Sequence, residues 1–394
     1  MKLRKEIWEY GKLNDLMSFK NGFNFNKGNL EKGWKVLGVS DFQDYFYPNY
    51  DNLEILVSDK LPSREYLIEE NDILFVRSNG NKDLVGRTLL IKEPPFPITF
   101  SAFCIRGRFV NHKVNPLFFT FYSKSDLFKT AMKKLVQGTN ITNVSQGLLS
   151  QLEIPIPPLE EQKQIAALFQ SIETAMAQVD GQEKNLKALR KSLINKLTKQ
   201  EPEFGLLLTK SNCKEYSIGE LAVEVPDRTD NPQKSGIEKF IGLEDFESGE
   251  LTIQKFSSTE KLVSAMKLCK QGDVLFARRN AYLKRASLTD FDAVCSGDVI
   301  VMRAEDKIIL PKFLILIMNT DEFWEFAISN AAGTMSKRVK WRDLATYTLE
   351  LPDLKIQAKI LEVFNQIETT LQHLKQQKTT LKLLKQQLLN EILG

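Results

Sequence analysis

Two long stretches of the chain place apolar residues every seven positions. In the first, Ile165, Ile172, Val179, Leu186 and Leu193 keep that period, with Leu168, Ala175 and Leu189 three positions on from three of them. In the second, Ile360, Ile367, Leu374, Leu381 and Leu388 do the same, and Phe364, Leu371 and Ile392 add four-spaced partners. Polar residues surround both seams, the pattern of helices that each want one apolar neighbour. The first stretch follows Pro157-Pro158 and meets no further proline until Pro202, so it can remain helical. About forty residues of helix span about 60 Å. Either each stripe packs on its own domain or the two stripes pair. If they pair they are antiparallel, because the first ends near Lys199 where the second globular region begins, and the second starts near Pro352 where that region ends.

The seams belong to a larger repeat. Ile156-Pro157-Pro158-Leu159-Glu160-Glu161-Gln162 returns as Leu351-Pro352-Asp353-Leu354-Lys355-Ile356-Gln357, 195 positions later, and the same offset joins Pro116 to Pro311 and Gly138-Thr139 to Gly333-Thr334. Upstream the register drifts: Asn71-Asp72-Ile73-Leu74-Phe75 matches Gly272-Asp273-Val274-Leu275-Phe276 at 201, and Gly38 matches Gly242 at 204. Loops of unequal length account for the drift, so the chain is a tandem of two similar modules. Short β-rich runs such as Trp34–Val39, Ile73–Val76 and Ala102–Ile105 predict strands between turns, and Pro116–Leu135 and Pro311–Ile328 predict aromatic-rich helices. The expected fold class is α+β, with two globular domains (residues 1–156 and 201–351) joined by two long antiparallel coiled-coil helices (157–200 and 352–394) and an internal pseudo-two-fold repeat.

Composition narrows the function less than the repeat does. Across 394 residues, 54 Lys+Arg against 50 Asp+Glu leave a net charge of only +4, so any basic patch must be local. No apolar run reaches the length of a membrane span, and a cytoplasmic protein with no membrane partner is expected. The four cysteines form no CxxC pair and only two histidines could join them, which argues for packing or surface thiols over a metal site.

Basic and amide side chains gather just after equivalent strand-like runs: Arg77, Asn79, Asn81 and Lys82 in the first module, and Arg278, Arg279, Asn280, Tyr282, Lys284 and Arg285 in the second. Arg binds guanine bidentately, Asn binds adenine bidentately and Lys neutralises phosphate, so these are candidate DNA-reading residues. The second run equally fits a solvated loop, and the parallel placement in both modules is what favours DNA. A further pair of segments follows the Gly-Thr dipeptides, with Thr139 and Asn140 in one module and Lys337 and Arg338 in the other; these fit phosphate contacts or polar turns. Apparent catalytic motifs are incomplete. Glu93-Pro94-Pro95-Phe96 imitates the base-holding motif of amino-methyltransferases with the wrong first residue and no Gly-rich cofactor turn. Pro226-Asp227 with Glu238-Lys239 lacks the residue a nuclease signature places between Glu and Lys. No catalytic residue, cofactor or metal is assigned.

The sequence resembles specificity subunits of type I restriction-modification enzymes, most clearly in Gly138-Thr139 followed by Leu152-Glu153-Ile154-Pro155-Ile156-Pro157-Pro158-Leu159-Glu160-Glu161-Gln162, and in the strand motifs Asn71–Arg77 and Gly272–Arg278. The match covers nearly the whole chain. The second copy departs, with Pro352-Asp353-Leu354-Lys355-Ile356-Gln357 in place of Pro-Pro-Leu-Glu-Glu-Gln. The resemblance implies a non-catalytic subunit whose two domains each read half of a bipartite, asymmetric site in double-stranded DNA. The helices would set the gap and dock two methyltransferase subunits, and restriction subunits with ATP-dependent translocase and nuclease activity would join through the complex. Two alternatives stay open: the specificity chain of a related enzyme that cuts on both sides of its site, and a stand-alone DNA methyltransferase.

Overall fold

The computed structural model describes residues 4–22, 24, 34–42, 46–51, 53–56, 63–137, 143–198, 208, 212–333 and 336–394. The chain divides into two compact units, Met1–Val179 with Gln377–Gly394 and Asp180–Gln376. Both dividing points fall inside long helices, α1 (Leu159–Asn195) and α2 (Leu354–Leu393). Each unit therefore contains the beginning of one long helix and the end of the other. Among the described residues no helix is long and apolar enough to cross a membrane.

Unit 1 is built on a four-stranded antiparallel sheet of β1 (Met17–Asn21), β4 (Cys104–Phe109), β2 (Ile73–Val76) and β3 (Thr88–Leu90), in that spatial order. The run Ile73-Leu74-Phe75-Val76 is apolar throughout because both its faces are covered. Ile73 and Phe75 enter a core with the helices, while Leu74 and Val76 enter a second core under a smaller sheet. In that smaller sheet Trp34–Leu37 pairs parallel with Ile98–Phe100 and antiparallel with Glu54–Leu56. Unit 2 repeats the plan: β5 (Ala222–Glu224), β8 (Val299–Ala304), β6 (Val274–Ala277) and β7 (Ala286–Leu288) form its four-stranded sheet in the same order. Lys239–Ile241 again runs parallel to its partner, Ala293–Cys295, and this second sheet gains Met266–Cys269 and Arg228–Thr229. A two-stranded clasp ties each module's start to the approach of its long helix, Glu9–Lys12 with Glu153–Ile156 and Cys213–Ser217 with Thr348–Pro352.

Three polar devices recur at equivalent positions and explain the repeated motifs. Asn71 (φ 69°) and Gly272 (φ 91°) take the left-handed conformation that turns the chain into β2 and β6, a place for Asn or Gly. The next residue, Asp72 or Asp273, is buried and accepts a forked pair of bonds, from Arg108 at 2.7 and 2.8 Å and from Arg303 at 2.8 and 2.9 Å. Gln162 is fully buried; its Oε1 accepts from Asn115 N at 2.7 Å and its Nε2 donates to Lys113 O and Pro157 O, both at 2.8 Å. Gln357 repeats this with Leu310 N, Ile308 O and Pro352 O, each at 2.9 Å. The motif's closing glutamine thus pins the start of each long helix to its own globular unit, while Glu160 stays exposed and Glu161, half-buried, accepts from Arg4 N at 3.2 Å.

Along the helices, Ile165, Ile172, Val179, Ile360, Ile367 and Leu374 are buried, and Leu186, Leu193, Leu381 and Leu388 are half-buried. In unit 1, Ile165, Phe169 and Ile172 of α1 share a core with Leu389, Ile392 and Leu393 of α2, and Lys385 meets Glu173 at 2.6 Å. In unit 2, Ile194 of α1 shares a core with Ile360, Leu361 and Phe364 of α2. Leu189 departs from the expected seam. It is 51% exposed, and its neighbour Arg190 is buried instead, donating to Glu368 Oε1 at 2.7 Å and to Gly249 O at 2.6 Å. The predicted helices Pro116–Leu135 and Pro311–Ile328 are also corrected, since each breaks in two: Pro116–Tyr122 with Asp126–Gln137, and Pro311–Met318 with Asp321–Ser329. Ser125 and Thr320 cause the break by capping the second helix, their hydroxyls accepting from Phe128 N and Phe323 N, both at 3.3 Å.

Candidate nucleic-acid interface

Both modules bring two distant segments together at the end of the central strand. In unit 2 the loop after β6 lies against residues 336–339: Arg279 and Arg338 form an isolated antiparallel bridge, Asn280 N donates to Lys337 O at 3.1 Å, and Val339 N donates to Arg278 O at 3.0 Å. In unit 1 Ser78 bridges Asn143, and Val144 N donates to Arg77 O at 2.9 Å. In unit 2 the two runs of candidate residues are therefore neighbours, and in unit 1 the first run lies beside Asn143 and Val144, proximities that separation in sequence conceals.

Their side chains are unequally engaged. Arg77 is half-buried, one terminal nitrogen donating to Ala102 O at 3.3 Å. Asn79 and Asn81 use their Oδ1 atoms on Asn81 N and Asp83 N, at 2.8 and 3.0 Å, so both build the turn. Lys82 begins the 3-10 turn Lys82–Leu84; its side chain, like Thr139 and Asn140 entirely, lies outside the described residues. In unit 2, Arg338 forks onto Asp298 at 2.7 and 3.2 Å, while Arg279 donates to Ser336 Oγ at 2.8 Å and approaches Asp298 at 3.9 Å. Arg338's hydrogen bonds hold the Asp298 carboxyl below the usual carboxylate range, and Arg279 and Arg278 add to that. Lys284 sits apart, at positive φ with its amine on Asp321 at 2.8 Å. Lys337 and Tyr282 are exposed. Asn280 takes a left-handed conformation that starts the turn Ala281–Leu283. Burial lowers the Arg285 pKa, and its guanidinium donates to Leu243 O at 2.8 Å.

The sequence pattern missed Arg87. Ala277 N donates to Arg285 O, and Val76 N donates to Arg87 O, so the two arginines are equivalent. Their offset is 198 because the loop ahead of Arg285 is three residues shorter than the one ahead of Arg87, and only that intermediate register would have aligned them. Arg87 lines a cavity of about 270 Å³ with Ser40, Phe42, Val76 and Asn79. The apparent nuclease motif does not converge on a metal. Lys239 lies over the Phe256 and Phe291 rings at 4.8 and 4.1 Å, and Asp227 uses its backbone carbonyl to accept from Leu268 N. Among the described residues no group of three or more His, Cys, Asp or Glu is placed to hold a metal ion.

These observations define a duplicated α+β protein that presents arginine and amide side chains on equivalent turns, one set per unit. The model of the type I restriction modification DNA specificity domain matches residues 5–188 and again 210–383, and the chain belongs to that family. It is similar to the type I restriction enzyme EcoKI specificity subunit of Escherichia coli (strain K12), at 25% identity over 356 residues, 79% of this chain and 71% of that protein. It is also similar to the StySPI specificity subunit of Salmonella potsdam, at 24% over 399 residues, 87% of this chain and 83% of that protein. In fold it matches a chain solved in work on complex assembly and conformational transition of the type I R-M system, with TM-score 0.56, 16% identity and 97% and 96% of the two chains covered. The S subunit of a type I restriction-modification system from M. genitalium gives TM-score 0.52 and 14% identity, with 99% and 97% covered.

Proposed function

We propose that each unit reads one half of a bipartite, asymmetric site in double-stranded DNA, as the specificity subunit of a cytoplasmic type I restriction-modification complex. The observation that carries this is the duplicated juxtaposition of two loops, Ser78 with Asn143 and Arg279 with Arg338, on one backbone frame with different side chains. Two like surfaces with unlike chemistry suit a split site whose halves differ in sequence. Arg278 and Arg279 are the readers of guanine edges in unit 2, and Lys337 supplies phosphate contact. The chain itself is non-catalytic on this reading. Two methyltransferase subunits dock on the long helices and bring S-adenosylmethionine, and restriction subunits bring ATP-driven translocation and cleavage. The lengths of α1 and α2 set the unread gap. Replacing Arg278 and Arg279 by Ala is expected to weaken discrimination at one half-site only, by about 1–3 kcal/mol for each lost bidentate contact. Competition binding against duplexes altered in either half checks this. Equal loss on specific and random DNA reduces both arginines to backbone contacts.

A further inference from the structure

The same tight turn follows the partner strand in both units and carries different chemistry at its tip. In unit 1, Cys104 N donates to Ser101 O at 2.9 Å, Phe103 N to Ser101 Oγ at 3.3 Å, and Arg77 N to Phe103 O at 2.8 Å. In unit 2, Val299 N donates to Ser296 O at 3.0 Å, Asp298 N to Ser296 Oγ at 3.3 Å, and Arg278 N to Asp298 O at 3.0 Å. Phe103 and Asp298 are therefore equivalent, as are Ser78 and Arg279, and Asn143 and Arg338. One rigid frame holds three variable side chains: a neutral set in unit 1 and a charged set in unit 2.

Each set is internally consistent. Asp298 needs Arg338 and Arg279 beside it, because a lone carboxylate on a surface meant for DNA repels phosphate. Where the arginines are replaced by Ser78 and Asn143, the acid is replaced by Phe103, which is 57% exposed on the turn. A large aromatic standing out from a turn fixed by main-chain bonds gains nothing for the fold. Placed against a base edge, it meets the one apolar group of the major groove, the thymine methyl.

We infer that these three positions select the type of base pair in each half-site: A·T through Phe103 in unit 1, and G·C through Asp298 with its two arginines in unit 2. Guanine presents acceptors to Arg, and cytosine presents an amino donor to a carboxylate. This rests on the DNA-reading role proposed above.

The test uses the full chain and duplexes carrying its site as mapped by genome methylation. Replacing thymine by uracil, one position at a time, removes only the methyl. One position in the unit 1 half-site is expected to weaken binding about fourfold, the value of one buried methyl. Phe103→Ala abolishes that sensitivity and Phe103→Leu keeps most of it. In the other half-site, Asp298→Asn lowers the preference for one G·C pair. No methyl-sensitive position in the unit 1 half-site, sensitivity there that survives Phe103→Ala, or an Asp298→Asn loss equal on every sequence overturns the inference. Random duplex competing as well as the site against the unaltered chain overturns instead the DNA-reading role on which it rests.

Discussion

At the scale of single residues, Gln162 and Gln357 do the most with one side chain. Each buried amide closes three hydrogen bonds that join a loop, a proline carbonyl and the first turn of a long helix. Replacing Gln162 by Ala strands Asn115 N–H and the carbonyls of Lys113 and Pro157, and a buried group left unpaired costs about 1–3 kcal/mol. Gln162→Ala is expected to lower the urea midpoint of unit 1, and Gln357→Ala that of unit 2, while Glu160→Ala stays within about 0.5 kcal/mol of the parent. Equal midpoints for Gln162→Ala and the parent would show that water takes over the bonds. This role was legible in part. Of the motif Pro-Pro-Leu-Glu-Glu-Gln the second copy alters both glutamates and keeps the glutamine, and only the structure says what the glutamine holds.

At the scale of elements, the heptad pattern is legible because a period of seven survives any loop length elsewhere in the chain. It misplaces Leu189 for a reason periodicity cannot contain: Gly249 O and Glu368 both accept bonds from Arg190, so Arg190 is buried there and Leu189 is left exposed. The split of each aromatic-rich helix is hidden likewise, since Ser125 and Thr320 are tolerated inside helices and act as caps only once the chain turns. In unit 1, Ile172 is buried and Leu381 packs against the same core. Introducing Asp at both is expected to cost about 2–5 kcal/mol per site, from lost apolar packing and a carboxylate without a partner. Loss of helical signal at lower denaturant, together with loss of co-purifying methyltransferase subunits, is the expected outcome. Unchanged stability and unchanged complex formation would remove the case for the α1 and α2 contact in that unit.

At the scale of the whole molecule, the duplication was legible from one constant offset, whereas the meeting of distant segments at the candidate interface was not. Arg77, Phe103 and Asn143 lie far apart in sequence, and the register between modules passes through 204, 201, 198 and 195 before it settles, so no single alignment brings the equivalent positions into line. The constant offset from Pro116 onward carries a consequence of its own. Variable loop lengths are accepted inside the globular parts, while the helices that follow keep theirs. The chain crosses between units only at Val179–Asp180 in α1 and at Gln376–Gln377 in α2, so a helical segment added at those two points cuts through neither core. Seven residues inserted after Gly181 and seven after Gln376 preserve every apolar face, because one heptad returns the seam to the same side. They add about 10 Å of rise at each place, against about 3.4 Å between base pairs. The unread gap between half-sites is therefore expected to widen by about three base pairs, with both half-sites unchanged in sequence. Methylation mapped across the genome of cells carrying the doubly extended chain decides it: an unchanged gap with full activity, or altered half-site bases, would show that helix length does not set the spacing.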